Sequence, residues 1–116
     1  MIDLAPKDEN VEYRLIKDGT IPVEDTSIDV VWICQVLGGI INETELSDTI
    51  NEINRILKKN GLVFLVENTS EKKDQEHWKY RSIQTYLSLF NFVELQHVSD
   101  YFEFNERISM MAGRKR

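Results

Sequence analysis

Two apolar runs with one amphipathic stripe between them constrain this chain more than any other feature. Ile28 to Val36 is a nearly continuous run rich in β-branched residues, and Leu62 to Val66 is a second. Between them Leu46, Ile50, Ile53, Ile56 and Leu57 recur mostly at three- and four-residue spacing, the stripe of a helix. Strand, helix and strand in that order make a parallel pair joined by a crossover, and parallel strands are covered on both faces. Ile28–Val36 is therefore expected to be buried on both sides. The helix is predicted over Glu43–Lys59. Asn42 or Thr44 caps its start, Arg55, Lys58 and Lys59 face the negative end of its dipole, and Asn60-Gly61 stops it.

The alternation continues on either side. Asn10 to Ile16 alternates apolar and polar residues, which predicts a half-buried strand at Val11–Ile16, followed by a turn at Asp18-Gly19. Trp78, Ile83, Tyr86, Leu87 and Phe90 form a second helical stripe, giving a helix over Glu76–Leu89. Strands are predicted at Phe92–His97 and Arg107–Ala112. Their short connection cannot make a parallel crossover, so they should pair antiparallel. These elements give one α/β domain over residues 1–116, a sheet of about five strands with helices packed on it. No repeat or linker marks a second domain.

Composition excludes several classes. The 116 residues are 41% hydrophobic, enough for a core, yet no apolar run reaches the roughly 18 to 20 residues of a membrane span. A net charge of −6 disfavours nucleic acid, whose phosphates call for clustered Lys and Arg. The basic end Gly113-Arg-Lys-Arg116 is an exception read as a solvated tail. One cysteine, Cys34, rules out an intrachain disulfide and suits a reducing cytoplasm; it is expected to be a small buried hydrophobe. Two histidines, His77 and His97, lack metal-ligand spacing.

Several segments taken together resemble the class I S-adenosylmethionine-dependent methyltransferases. Thr26-Ser-Ile-Asp-Val-Val31 looks like the S-F-D-V-V that enters the family's central strand. Glu52-Ile-Asn-Arg-Ile-Leu-Lys-Lys-Asn-Gly61 looks like E-(hydrophobic)-x-R-V-L-K-P-G-G before the next strand. Within the type 11 group, a bacterial branch carries V-L-G-G-I, V-E-N-T, H-W-x-x-R-S and E-R-I-S-x-M-A-G-R-K. Val36–Ile40, Val66–Thr69, His77-Trp78 with Arg81-Ser82, and Glu106–Lys115 match these. The resemblance implies a Rossmann-like fold and S-adenosylmethionine as cofactor. It covers the carboxyl-terminal part of the family's domain, because the glycine-rich loop that opens such domains does not occur here. Ile2-Asp3-Leu4 stands where the second family strand would end. Only seven residues separate Asp3 from Val11, too few for the intervening helix, so Asp3 is read as a surface residue.

Carried over residue by residue, the resemblance puts the cofactor at Asp18, Gly19, Ile33, Cys34 and Gln35. Asp18 either accepts a hydrogen bond from the adenine amine or simply forms a turn. Ile33, Cys34 and Gln35 end the central strand, where open α/β sheets place ligands. Glu67, Asn68, Trp78 and Arg81 are the candidate substrate residues. Asn68 is equally a turn former, Trp78 equally core, and Arg81 and Glu106 are candidates for an ion pair with each other. Where the family often has His after the central strand, Gly38-Gly39 stand instead, and no catalytic base is assigned. The reading is the carboxyl-terminal part or a truncated form of a methyltransferase, its acceptor a small molecule or otherwise unknown, with weak or absent cofactor binding by this chain alone. The alternative is an inactive methyltransferase-like partner module. Without its usual neighbour the Ile28–Val36 strand either pairs with Val11–Ile16 or joins a second chain edge to edge. The second is favoured, because Asp18–Ser27 is short for a parallel crossover.

Overall fold

The computed structural model describes residues 10–16 and 18–116. Asp3 lies outside them. Strand β1 (Ile28–Cys34) leads through a 3-10 turn (Leu37–Gly39) to helix α1 (Glu43–Ile56). Strand β2 (Leu57–Asn68), helix α2 (Ile83–Leu89), strand β3 (Gln96–Glu103) and strand β4 (Glu106–Arg114) follow. The sheet order is β1-β2-β4-β3. β1 runs parallel to β2, from Val30 opposite Leu62 to Cys34 opposite Val66. β4 is antiparallel to both β2 and β3, so the expected antiparallel pair of last strands is present.

Both helices pack on one face. Leu46, Ile50 and Ile53 of α1, with Tyr86 of α2 and Phe90 just beyond it, meet Ile33, Val63, Leu65 and Met111 in a single buried cluster. These strand residues sit at alternate positions on three neighbouring strands, as the pleat requires. The other face does not match the expectation of double burial. Val30 is 55% exposed, Trp32 71% exposed, and Cys34 is exposed rather than a buried hydrophobe. Trp32 rests instead against Phe64, ring centroids 5.9 Å apart. Continuous apolar sequence reported a parallel strand correctly, but burial needs a covering layer, and both helices lie on the opposite side.

The fifth predicted strand is absent among the described residues. Residues 10–16 are exposed and outside the sheet. Arg14 ties this stretch to the Pro22 carbonyl and to Glu12, a local arrangement that alternation could not distinguish from a ladder.

Element ends were displaced by tertiary contacts. Asn42 caps α1, its Oδ1 accepting from the Thr44 and Glu45 amides at 2.8 and 3.0 Å. The helix ends at Ile56, not Lys59, because Leu57 already pairs with Ile28. Between that pair and Val30–Leu62, β2 carries extra residues, and Asn60 bends there with φ +65°. Asn60-Gly61 thus kinks a strand instead of stopping a helix. The basic end is no solvated tail: Lys115 Nζ donates to the Asn54 and Leu57 carbonyls at 2.7 and 2.9 Å, capping the carboxyl end of α1. Arg114 holds the Asn60 carbonyl at 3.0 Å. Helix α2 begins only at Ile83, with the Ser82 side chain as its cap. Residues 76–82 are drawn out of helix by bonds to the turn after β1, described below. β3 starts at Gln96 instead of Phe92, because Val93 and Glu94 are held by Phe90 and Arg114.

At Gly113 a Cβ would overlap the Glu94 backbone, and neither backbone can yield without breaking the β4 edge contact. Gly113→Ala should therefore destabilise the chain by about 1–3 kcal/mol, the usual overpacking cost. Urea unfolding would show it; an unchanged midpoint would contradict this packing.

Candidate functional site

The carboxyl ends of parallel strands are where open α/β sheets gather ligands, and here those ends are joined by one carboxylate. Glu67, fully buried near the end of β2, receives the backbone N–H groups of Val36 and Leu37 on Oε2, each at 3.0 Å. It receives that of Gly38 on Oε1 at 3.3 Å. Three successive amides converge on one carboxylate, so the turn after β1 is built around the end of β2. Burial pushes the Glu67 pKa up, against the pull of these three amides and of the Arg81 charge.

The same turn is held from its other side. Arg81, also buried, donates to the Leu37 carbonyl at 2.8 Å and to the Ile40 carbonyl at 2.7 Å. Trp78 lies on Gly38, where a Cβ would overlap the indole, and Lys79 N–H donates to the Gly38 carbonyl at 2.8 Å. Gly38 is thus required by close packing, whereas a Cβ at Gly39 would make only ordinary contact with the indole. Beneath it the buried Tyr86 hydroxyl makes no hydrogen bond of good geometry. Burial and the Glu67 charge raise its pKa to about 12, with Arg81 near enough to oppose the shift.

A second network crosses from β2 to β4. Glu106 accepts from Ser70 Oγ at 2.8 Å, Asn68 Nδ2 at 3.1 Å and Tyr80 at 3.2 Å, and pairs with Lys72 at 3.1 Å. These donors, the Ser70 and Asn68 bonds foremost, lower its pKa to about 2. Arg107 Nε donates to Thr69 Oγ1 at 3.0 Å. The buried Thr69 and Ser109 hydroxyls lie 2.6 Å apart, and Ser109 donates to Asp100, which also meets His97. Beside this network Ser70, Glu71, Lys72, Phe102, Asn105 and Arg107 line an open cavity of about 300 Å³.

The candidate residues divide into separate places. Asp18 and Gly19 line a cavity of about 420 Å³ with Thr20, Asp48, Asn51, Glu52 and Arg55, in which Ile33, Cys34 and Gln35 take no part. Ile33 packs into the core. Cys34 and Gln35 are exposed at the end of β1, where Gln35 turns with φ +50°. Glu67, Asn68, Trp78 and Arg81 do come together, but the side-chain polar groups of Glu67, Asn68 and Arg81 are engaged in internal bonds and the Trp78 ring is packed on Gly38. Asn68 Oδ1 accepts the Ser70 amide while its Nδ2 serves Glu106. Arg81 and Glu106 do not pair with each other: Arg81 takes carbonyls, with Glu43 at 3.5 Å, and Glu106 takes Lys72. Lys72, Tyr80 and Phe102 stand in charged or alternating stretches that carry no site signal, and Arg107, although inside the E-R-I-S match, has no sequence mark of the cavity it lines.

A family model described as a hypothetical methyltransferase matches residues 1–111. An uncharacterized methyltransferase-like protein of Schizosaccharomyces pombe is 39% identical over 72 residues, which is 61% of this chain and 27% of that protein. The chain therefore spans about a quarter of this curated relative. Among solved structures, the YcgJ protein of Bacillus subtilis superimposes with a TM-score of 0.76 at 14% identity, over 93% of this chain and 72% of that one. A SAM-dependent methyltransferase of Methanosarcina mazei gives 0.73 at 15%, over 90% and 66%. At these identities the likeness of structures is one of fold.

Two expectations follow from the networks. Glu67→Ala leaves three amides without their acceptor, each worth about 1–3 kcal/mol, so Val36, Leu37 and Gly38 should exchange hydrogen at least ~100-fold faster. Exchange rates unchanged at these three amides would refute the clamp. Glu106, whose folded pKa of about 2 lies below the ordinary 4.5, contributes stability that is present above pH 4.5 and lost as pH falls toward 2. Glu67, raised by burial, acts in the opposite direction, its burden easing as pH falls. The Tm gap between wild type and Glu106→Gln should therefore narrow between about pH 5 and pH 3; a constant gap would contradict the network.

Proposed function

We propose that this chain, which belongs to the family described as a hypothetical methyltransferase, forms the carboxyl-terminal part of an S-adenosylmethionine-dependent methyl-transfer domain acting on a small acceptor. The observation that carries the reading is the Glu67 clamp. It joins the turn after β1 to the end of β2, the pair of strand ends at which this kind of sheet presents ligands. Asp18 supplies a carboxylate for the adenine amine, and the Cys34-Gln35 end of β1 forms the rim of the crevice. The cavity beside Lys72, Phe102 and Arg107 is the place for the acceptor.

The residues present fit only part of the cofactor. The methionine end calls for a loop of free amides, and the one adjacent glycine pair is already committed. The Gly38 amide serves Glu67 and its α-carbon carries Trp78. S-adenosylmethionine, when bound, supplies an electrophilic methyl group; this chain's residues contribute placement, and none is assigned a proton transfer. The same commitment of Glu67, Asn68 and Arg81 to internal bonds, and of Trp78 to packing on Gly38, favours a second reading, a methyltransferase-like module that assists a partner without catalysing.

Calorimetric titration of the 116 residues with S-adenosylmethionine and its demethylated product tests the first reading's energetics. Losing two or three bonds of about 1.5–3 kcal/mol weakens binding by several powers of ten, so the expected outcome is no heat at micromolar ligand. Micromolar affinity would show that another segment replaces the glycine loop. Methyl transfer to any acceptor by the chain would exclude the inactive module.

A further inference from the structure

We infer that the acceptor is an oxyanion borne on a flat ring, its charge held by Arg107 and its ring laid against Phe102. This deepens the proposed function and rests on its placing of the acceptor in the cavity of about 300 Å³ beside these two residues. The segment that follows β2 and the β3–β4 hairpin form that cavity. It sits on the β3 side of the sheet, away from the β1 edge.

Arg14, Arg55, Arg81 and Arg116 each have a carboxylate within ion-pair distance. Among the described residues Arg107 and Arg114 have none, and of these two only Arg107 lines the cavity. Its Nε donates to Thr69 Oγ1 at 3.0 Å and its Nη2 to the Thr69 carbonyl, both neutral oxygens. Nη1 has no partner among the described residues. A guanidinium fork with an unspent arm and no counter-charge suits an oxyanion. The fork is also set in advance. Ser109 gives its one hydroxyl proton to Asp100 at 2.6 Å, so Thr69 is the donor in the 2.6 Å contact between the Thr69 and Ser109 hydroxyls. Thr69 Oγ1 is then left to accept from Arg107. Every proton of this chain points from the guanidinium toward Asp100, where His97 closes the end at 2.7 Å. Both hydroxyls are buried, and a satisfied buried network is rigid, so ligand binding has little left to order here.

Phe102 stands directly opposite Arg107 in the β3–β4 ladder, so the two side chains leave the sheet on the same face. The β-carbons of such a pair lie about 5 Å apart, which brings a substituent of a ring stacked on Phe102 within reach of the guanidinium. Phe102 is 74% exposed and makes no ring contact among the described residues. Two carboxylates stand nearby. Glu106 is occupied by Lys72 at 3.1 Å and by the Ser70, Asn68 and Tyr80 donors. Glu71, exposed on the cavity wall, opposes an anion, and removing its charge should therefore strengthen the binding of one.

Nuclear magnetic resonance titration of the 116-residue chain tests this without S-adenosylmethionine, so its outcome is separate from that of the cofactor titration. The probes are para-hydroxybenzoate, the neutral para-hydroxybenzamide and the ring-saturated analogue of the acid. The benzoate should bind with a millimolar Kd, as small fragments do, and shift the Arg107 Nε–H and Phe102 ring signals. The amide and the saturated acid should each bind at least ~10-fold more weakly. Arg107→Gln, with unchanged circular dichroism, should erase the difference between benzoate and amide. Glu71→Gln, a surface change that leaves the fold untouched, should tighten the benzoate about 2–3-fold at low salt and leave the amide as it was. Equal affinity for benzoate and amide overturns the charge, and equal affinity for the two acids overturns the ring. Binding of no probe, or shifts that miss Arg107 and Phe102, overturns this acceptor site while the cofactor titration still decides the methyl-transfer reading.

Discussion

A buried carboxylate that accepts three successive backbone amides organises everything around it. Without Glu67 the turn from Val36 to Gly38 would bury N–H groups with no partner, each costing about 1–3 kcal/mol. With it, the turn becomes a fixed platform. Trp78 packs on that platform, Arg81 grips its carbonyls, and the chain from 76 to 82 is drawn out of helix to reach it. Burial penalises the ionised carboxylate and its amides offset only part of that cost, so the clamp is a high-stakes feature: satisfied, it specifies one arrangement; unsatisfied, it would leave a polar group in the core without partners.

The four motifs that resemble a methyltransferase branch are scattered over the sequence yet meet here. Val36–Ile40 is the clamped turn, Val66–Thr69 carries the clamp, His77–Ser82 closes over it, and Glu106–Ser109 braces it from β4. Their physical meaning is mutual support. This bears on how a motif is read: a polar residue in a recurring pattern is as apt to hold a loop in place as to touch a ligand. Asn68 and Arg81 illustrate the first case, since every assigned bond they make is internal.

Periodicity read the central architecture well because the signal was long. The α1 stripe and the runs of β1 and β2 each reflect burial in one contiguous core, and the antiparallel close of the sheet followed from a short connection. What periodicity could not carry was anything decided across the fold. Val11–Ile16 alternates like a strand but joins no sheet among the described residues. Glu76–Ser82 has helical composition and is captured by the turn after β1. The β2 kink at Asn60 and the early end of α1 both depend on residues at the far end of the chain. Of the site, strand-end placement was legible for Cys34, Gln35, Glu67 and Asn68. Bond partners were not, because most of them lie far apart in the sequence, as Val36 does from Glu67 and Asn68 from Glu106.

The grip of Lys115 on the last carbonyls of α1 has a consequence for the order of events during synthesis. Of the two interior strands, β4 comes after both of its neighbours in the chain, and the residue that caps α1 lies just beyond it. Synthesis runs from the amino end, so β1, α1 and β2 are made and can pair first. During that stage the flank of β2 that β4 will occupy is open and the carboxyl end of α1 lacks its cap. Only once the segment through Lys115 is free can β4 lie between β2 and β3 and close the core.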